Sequence, residues 1–213
     1  MDSINLLIFT VYLLIVFYVF YKAYQSLENQ LTVELDKNYL NEELEKNNLK
    51  GCINISLSKM KPSYELSNLK TLVVTLKNDF KENSDTIIRV NWDESSIIDF
   101  DNSPRRTVRV TLTKGLTEIP EKQVPTPLTP NQKVDEEITD DQHLGAPLFK
   151  LPKLKKASLK GDPFYLRLSL NISEPGSGTR FGLVRCKLTP RKLRWTKALR
   201  IALTPLPKKK KKS

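Results

Sequence analysis

The residues able to do chemistry are few. The chain has one histidine, His143, two cysteines, Cys52 and Cys186, and seven glycines. A nucleophile–imidazole–acid relay needs a histidine held by a buried carboxylate on a rigid scaffold. His143 falls in a Pro-rich acidic stretch and reads as a surface residue. Cys52 and Cys186 lie far apart, without a CxxC or any metal-ligand spacing, so they read as two buried thiols; one bridge between them is the alternative in an oxidising compartment. Gly176 and Gly178 sit in a hairpin turn rather than a phosphate loop. Asp99 and Asp101 flank Phe100, and a strand-end turn on the solvent face accounts for both. The acidic run Asp135, Glu136, Glu137, Asp140 and Asp141 lacks the glycine and spaced ligands of an EF-hand loop. Asn54-Ile-Ser56 and Asn171-Ile-Ser173 match the glycosylation triplet but fall mid-strand. These residues predict no catalytic, cofactor or metal site, and a protein that is not an enzyme.

Charge carries more information. From Lys150 to Ser213 the chain has 19 Lys plus Arg against two acids, Asp162 and Glu174, while the whole protein is +11. That segment is therefore +17 and residues 1–149 sum to −6. Opposite fields on the two halves indicate a partner rather than a fold. The polybasic tail Lys208, Lys209, Lys210, Lys211 and Lys212 is the sharpest polar feature. Beside an anionic bilayer each such lysine contributes about 1 kcal/mol. The tail is predicted to orient the domain on an anionic surface. The acidic excursion offers a second use of this charge, folding back to screen the basic C-terminal face.

An apolar run must place these charges. Ile4, Leu6, Leu7, Ile8, Phe9, Val11, Leu13, Leu14, Ile15, Val16, Phe17, Val19 and Phe20 make a stretch long enough to span a bilayer as a helix. Lys22 alone is charged within it, near the end where Tyr18, Tyr21 and Tyr24 form an aromatic belt. No Lys or Arg precedes the run and no small-x-small site follows it, which argues against a cleaved signal peptide. Lys22 and Lys37 on the C-terminal flank favour a cytoplasmic domain.

Residues 1–24 are thus a transmembrane helix and 25–50 a juxtamembrane segment, read either as a stalk or as a first strand at Leu31–Leu35. From residue 51 the apolar period becomes two: Ile53, Ile55 and Leu57; Leu72, Val74 and Leu76; Ile88, Val90 and Trp92; Ile98 and Phe100; Val108, Val110 and Leu112. Turn residues separate these sets, including Asp93 to Ser96. Arg89 and Arg109 fall on the outward positions. Alternation resumes from Phe164 to Ile172 and at Val184, Cys186 and Leu188, which points Cys186 inward. The pattern predicts a mainly β domain over 51–203, an antiparallel sandwich with one face inward. A Pro-rich insertion covers about 115–162, within which Gln123–Ile138 suits an edge strand. Residues 191–203 suit a strand or a short helix, and 204–213 form a disordered tail.

The strings Leu69–Asn78, Ile87–Asp101 and Arg105–Leu112 share a set of features: an apolar strand, an Asn turn, Trp-Asp, Ser, Asp-Phe and Arg-Arg-Val. Together with the N-terminal helix they resemble the immunoglobulin-like β-domain of uncharacterised cyanobacterial single-pass membrane proteins. The resemblance implies an immunoglobulin-like sandwich in a plasma or thylakoid membrane, and implies no function.

The expected role is a membrane-anchored interaction or assembly module. Its basic C-terminal face would meet anionic lipid or an acidic protein. Nucleic acid is the alternative partner, because Phe164, Tyr165, Phe181 and Trp195 interleave with the bases. The alternation turns Phe164 and Trp195 inward, which leaves few stacking platforms. Oligomeric state is not encoded in any pattern of this sequence.

Overall fold

A computed structural model describes residues 3–28, 30–58, 64–65, 69–80, 85–110, 122–176, 178–194 and 196. Helix α1 (Ser3–Glu28) holds the apolar run. Its stretch Ile4–Gln25, 22 residues, is long and apolar enough to cross a membrane, about 33 Å at 1.5 Å per residue. None of the predicted spanning side chains is buried in the domain.

After α1 come β1 (Gln30–Leu35), α2 (Lys37–Lys46), β2 (Ile53–Leu57), β3 (Tyr64–Glu65), β4 (Leu72–Asn78), β5 (Ile87–Ile98) and β6 (Pro104–Arg109). Then follow β7 (Thr126–Leu128), β8 (Lys133–Asp140), α3 (Leu151–Lys160), β9 (Phe164–Glu174) and β10 (Gly178–Lys192). The protein is mainly β and its pairings are antiparallel, as the period of two requires. The strands join in the order β2-β4-β8-β6-β5-β9-β10-β1-β3, with β7 on β5. Because β6 pairs with both β5 and β8, one continuous sheet curls into a barrel-like shape. The juxtamembrane segment is therefore strand β1 followed by helix α2, not a stalk. Asp36 accepts the Tyr39 N–H at 3.1 Å and starts α2. The helix lies on β10 with Leu40 and Leu44 buried.

Antiparallel registers define two ends. Gln30 begins β1 at the α1 end. There β10 finishes, with Lys192 opposite Leu31. Phe164 begins β9 opposite Leu188, and Ile98 ends β5 opposite both Tyr165 and Pro104. The β5–β6 turn and α3 therefore share the end at which α1 enters. The β9–β10 turn lies at the other. Phe100, Phe149 and Phe164 cluster beneath α3, with centroids 4.8–5.9 Å apart, and Leu154 is fully buried. Helix α3 closes this end of the barrel. Gly161 terminates it in the left-handed conformation at φ 76°, where a side chain would be strained.

One irregularity changes several expectations. Strand β5 is continuous through the predicted turn at Asp93–Ser96. Between Asn91, paired with Ser169, and Ser96, paired with Arg167, β5 advances five residues while β9 advances two. An odd excess of residues exchanges the inward and outward sets. Ser95, Ile97 and Asp99 are consequently buried, and Ile98 turns away from the core position predicted for it. Ser95 Oγ holds the bulge, donating to Asn91 O at 2.6 Å and accepting from the Ser169 N–H at 3.1 Å. Strand β8 is likewise no edge: it lies between β4 and β6. The proline-containing strand in that region is β7. Within 191–203, β10 extends through Lys192, and Trp195 lies outside the described residues.

Both cysteines are free thiols; Cys186 is buried and Cys52 partly exposed. Burial pushes the Cys186 thiol up to about 12, with Glu43 adding to the shift. Burial also raises Cys52. A thiolate-dependent reagent at pH 8 is expected to modify Cys52 slowly and Cys186 only after denaturation. Counting modified thiols in native and denatured protein checks this, and equal native rates would contradict the burial.

Candidate functional site

Arginines of β6 organise the interior polar chemistry, because the bulge delivers a carboxylate to the first of them. Arg105 donates to Asp99 and, through Nη1, to Asp140 Oδ2 and Leu148 O, both at 2.9 Å. Asp140 is completely buried. Its Oδ1 lies 2.8 Å from His143 Nδ1, which is also 3.2 Å from Arg105. At the next position, Arg106 Nη2 reaches Asp93 Oδ1 at 2.6 Å. Arg109 donates to Val124 O at 2.6 Å and Thr126 Oγ1 at 3.0 Å, with Glu136 Oε1 at 3.4 Å. Its guanidinium stands 6.0 Å from the Trp92 ring, whose N–H donates to Thr126 at 2.8 Å.

Four sequence expectations change here. Arg109 is buried rather than outward, because the side chains of Thr107, Val108 and Arg109 are all enclosed. Asp99 is buried, not on the solvent face, because of the bulge. His143 is anchored to a buried acid rather than lying on a mobile surface. The acidic run is strand β8 and the residues directly after it. Its buried members, Glu136 and Asp140, pair with Arg109 and Arg105, so it does not fold back on the C-terminal basic face.

A polar pit of about 270 Å³ opens beside this network, lined among others by Asp99, Asp101, Ser103, Arg105, His143 and Lys153. Its charges are internally matched: Lys153 pairs with Asp101, and Arg105 with two carboxylates. Among the described residues the His143 ring bonds only to Asp140 and Arg105, and no hydroxyl or thiol among them is coupled to its other nitrogen. Among the same residues no group of three or more His, Cys, Asp and Glu is arranged around a metal position. A groove of about 870 Å³ between β1 and β2 is lined by Val33, Leu35, Ser56, Leu57, Thr75 and Asp135, with others.

The surface cations behave differently. On α3, Lys155, Lys156 and Lys160 are exposed, and none has an ion-pair partner among the described residues. Lys150 precedes the helix, and Arg191, which pairs with Glu34 at 3.1 Å, and Lys192 end β10, all exposed at the same barrel end. A second basic area lies on the outer face of β9 and β10. There Arg167 stands directly across from Arg185. Arg185 stacks 3.8 Å from the Tyr165 ring centroid, and Phe181 is 78 % exposed. Neither arginine has a carboxylate partner among the described residues. The predicted contact residues Lys208 to Lys212 lie outside the described residues. Alternation had no means of finding α3, because its buried residues Leu154, Ala157 and Ser158 follow a helical spacing rather than a period of two.

Comparison with protein-family models, curated proteins and solved structures finds no match.

Two predictions follow from the arginine network. Removing one member of a buried ion pair leaves an uncompensated charge, at a cost of about 3–5 kcal/mol. Arg105→Ala is expected to destabilise the detergent-solubilised full chain by that order in urea denaturation, and an unchanged midpoint would refute the assignment. Asp93 supplies the pH dependence. Burial works to raise its carboxyl, but Arg106 and the Gln123 N–H groups outweigh it, and the net direction is down. A lowered carboxylate stabilises the fold above its ordinary value of about 3.9 and loses that contribution as pH falls through the lower folded value. Asp93→Asn should therefore lower thermal stability at neutral pH and flatten its decline in acid.

Proposed function

We propose that this protein is a membrane-tethered, non-catalytic interaction module whose basic C-terminal face meets anionic lipid headgroups. The observation that carries the reading is one of placement. The barrel end from which α1 departs is also the end bearing Lys155, Lys156 and Lys160 of α3 and the exposed Arg191 and Lys192. A tether holds these cations within a short distance of a bilayer, where anionic headgroups attract them and salt weakens the attraction. The Lys208–Lys212 tail belongs to the same proposal as an additional anionic-surface contact.

Several finer statements are part of this reading. The domain faces the cytoplasm, supported by Lys22 at the C-terminal end of the span and Lys37 after it. The membrane is the plasma or thylakoid membrane, and the barrel is a variant of the immunoglobulin-like domain. Both rest on the resemblance of β4, β5 and β6 to cyanobacterial membrane-anchored proteins. An acidic protein is the other partner that suits the same charges. A nucleic-acid reading is favoured by one observation, Arg167 and Arg185 without carboxylate partners among the described residues, with exposed Phe181 four residues from Arg185 along β10. Two cations are few for a ligand whose affinity grows with each neutralised phosphate.

The test uses full-length protein in vesicles of phosphatidylcholine, with and without phosphatidylserine. Limited proteolysis should show protection of the barrel end only with phosphatidylserine. Changing Lys155, Lys156 and Lys160 together to Glu should abolish that protection, and deleting Lys208–Ser213 should reduce it. Equal protection on both vesicle types would overturn the proposal. Protection by a single-stranded oligonucleotide instead, lost in Arg167→Glu, would establish the nucleic-acid reading.

A further inference from the structure

We infer that α3 is an interfacial helix that seats Leu159 and Leu151 among anionic lipid headgroups, so that the barrel stands on the bilayer rather than swinging from α1. This rests on the reading above and adds the element and the side chains that make the contact.

The two faces of α3 are distinct. Leu154, Ala157 and Ser158 are buried against the barrel. At 3.6 residues per turn, Leu159 lies nearly opposite that face, with Lys155, Lys156 and Lys160 around it. Leu159 is 65 % exposed and Leu151 47 %. A helix that merely closes a barrel needs one apolar face and gains nothing from a leucine on the other. An interfacial helix needs both leucine and lysine on its outer face, since the apolar chain enters the headgroup boundary while the ammonium groups meet lipid phosphates.

The charge pattern agrees. The helix sequence LPKLKKASLK contains four lysines and no acid. Lys156 and Lys160 are four residues apart, a like-charge spacing that weakens a helix in water. No carboxylate of α3 offsets it. An anionic surface relieves this repulsion, whereas a neutral one does not. Lys150 and Lys192 extend the cationic area beyond the helix.

Geometry allows the contact. The apolar run of α1 ends at Gln25, and β1 begins at Gln30. Four residues, 26–29, thus separate the hydrocarbon core from the barrel end. The α3 backbone is fixed to that end on both sides. Lys153 bonds to Asp101 of the β5–β6 turn, and Gly161 follows the helix beside Thr189 of β10. The position of the helix is therefore coupled to the whole sheet, and docking it orients the domain.

The experiment places an environment-sensitive nitrobenzoxadiazole label at residue 159 in full-length Cys52→Ser/Leu159→Cys protein. A Cys52→Ser/Thr179→Cys protein, labelled at the opposite barrel end, is the control. Each is reconstituted into phosphatidylcholine vesicles with and without phosphatidylserine. The label at 159 should brighten several-fold and shift to the blue only with phosphatidylserine, and should be quenched by a lipid-borne quencher. The label at 179 should not change. A label at 159 that stays open to aqueous iodide on phosphatidylserine vesicles overturns the inference. If the three-lysine variant still loses its protease protection in that case, the anionic-lipid reading survives and only the seating of the leucines falls. If it does not, both fall. Brightening by soluble polyglutamate with neutral vesicles would assign the helix to an acidic protein and overturn the inference as well.

Discussion

Arg105 is the interaction on which the barrel depends. Its guanidinium sits between Asp99 from the end of β5 and Asp140 from the end of β8, and also bonds Leu148 O in the segment leading to α3. Three parts of the chain distant in sequence thus converge on one planar group with several donors in a fixed geometry. A cation this enclosed requires matched acceptors, since an unpaired buried charge costs several kcal/mol. Asp140 in turn receives Nδ1 of His143, so the histidine serves as a further link of the same network. The β5 bulge makes the arrangement possible, because without it Asp99 would face solvent.

Arginines in this protein fall into two groups with different partners. Those of β6 are each matched to a carboxylate on β5 or β8, and they hold the two halves of the curled sheet together. Arg167 of β9 and Arg185 of β10, with Lys155, Lys156 and Lys160 of α3, are left without carboxylates among the described residues, whereas Arg180 pairs with Glu174, Arg191 with Glu34 and Lys153 with Asp101. The buried carboxylates Asp99, Glu136 and Asp140 are consumed in building the fold, and Arg167, Arg185, Lys155, Lys156 and Lys160 remain without carboxylate partners among the described residues. The net charge of +11 therefore understates the field on the C-terminal surface.

The alternating apolar residues identified most strands, because a half-buried strand leaves a period of two that needs no tertiary knowledge. Ile53 and Ile55, Leu72 to Leu76, Ile88 to Trp92 and Phe164 to Ile172 all turned inward as their spacing required. The period of two broke down at Asp93–Ser96, where polar residues resemble a turn and an inserted bulge keeps the strand intact. It broke down again over Asp135–Asp141, where acidic residues suggest solvent. Those carboxylates are tolerable inside only because arginines from β6 stand opposite, and that adjacency comes from pairing across about thirty residues of intervening chain.

The N-terminal helix, the mainly β character, the inward Cys186 and the separation of charge between halves were determined by the sequence alone. Each follows from local composition or local periodicity, which act within a few residues of themselves. Tertiary structure alone decided the curl of the sheet, the burial of Asp99 and Arg109, and the placement of α3 at the same end as α1. These depend on register, and register is set by which strand lies beside which, through hydrogen bonds between residues far apart in the chain.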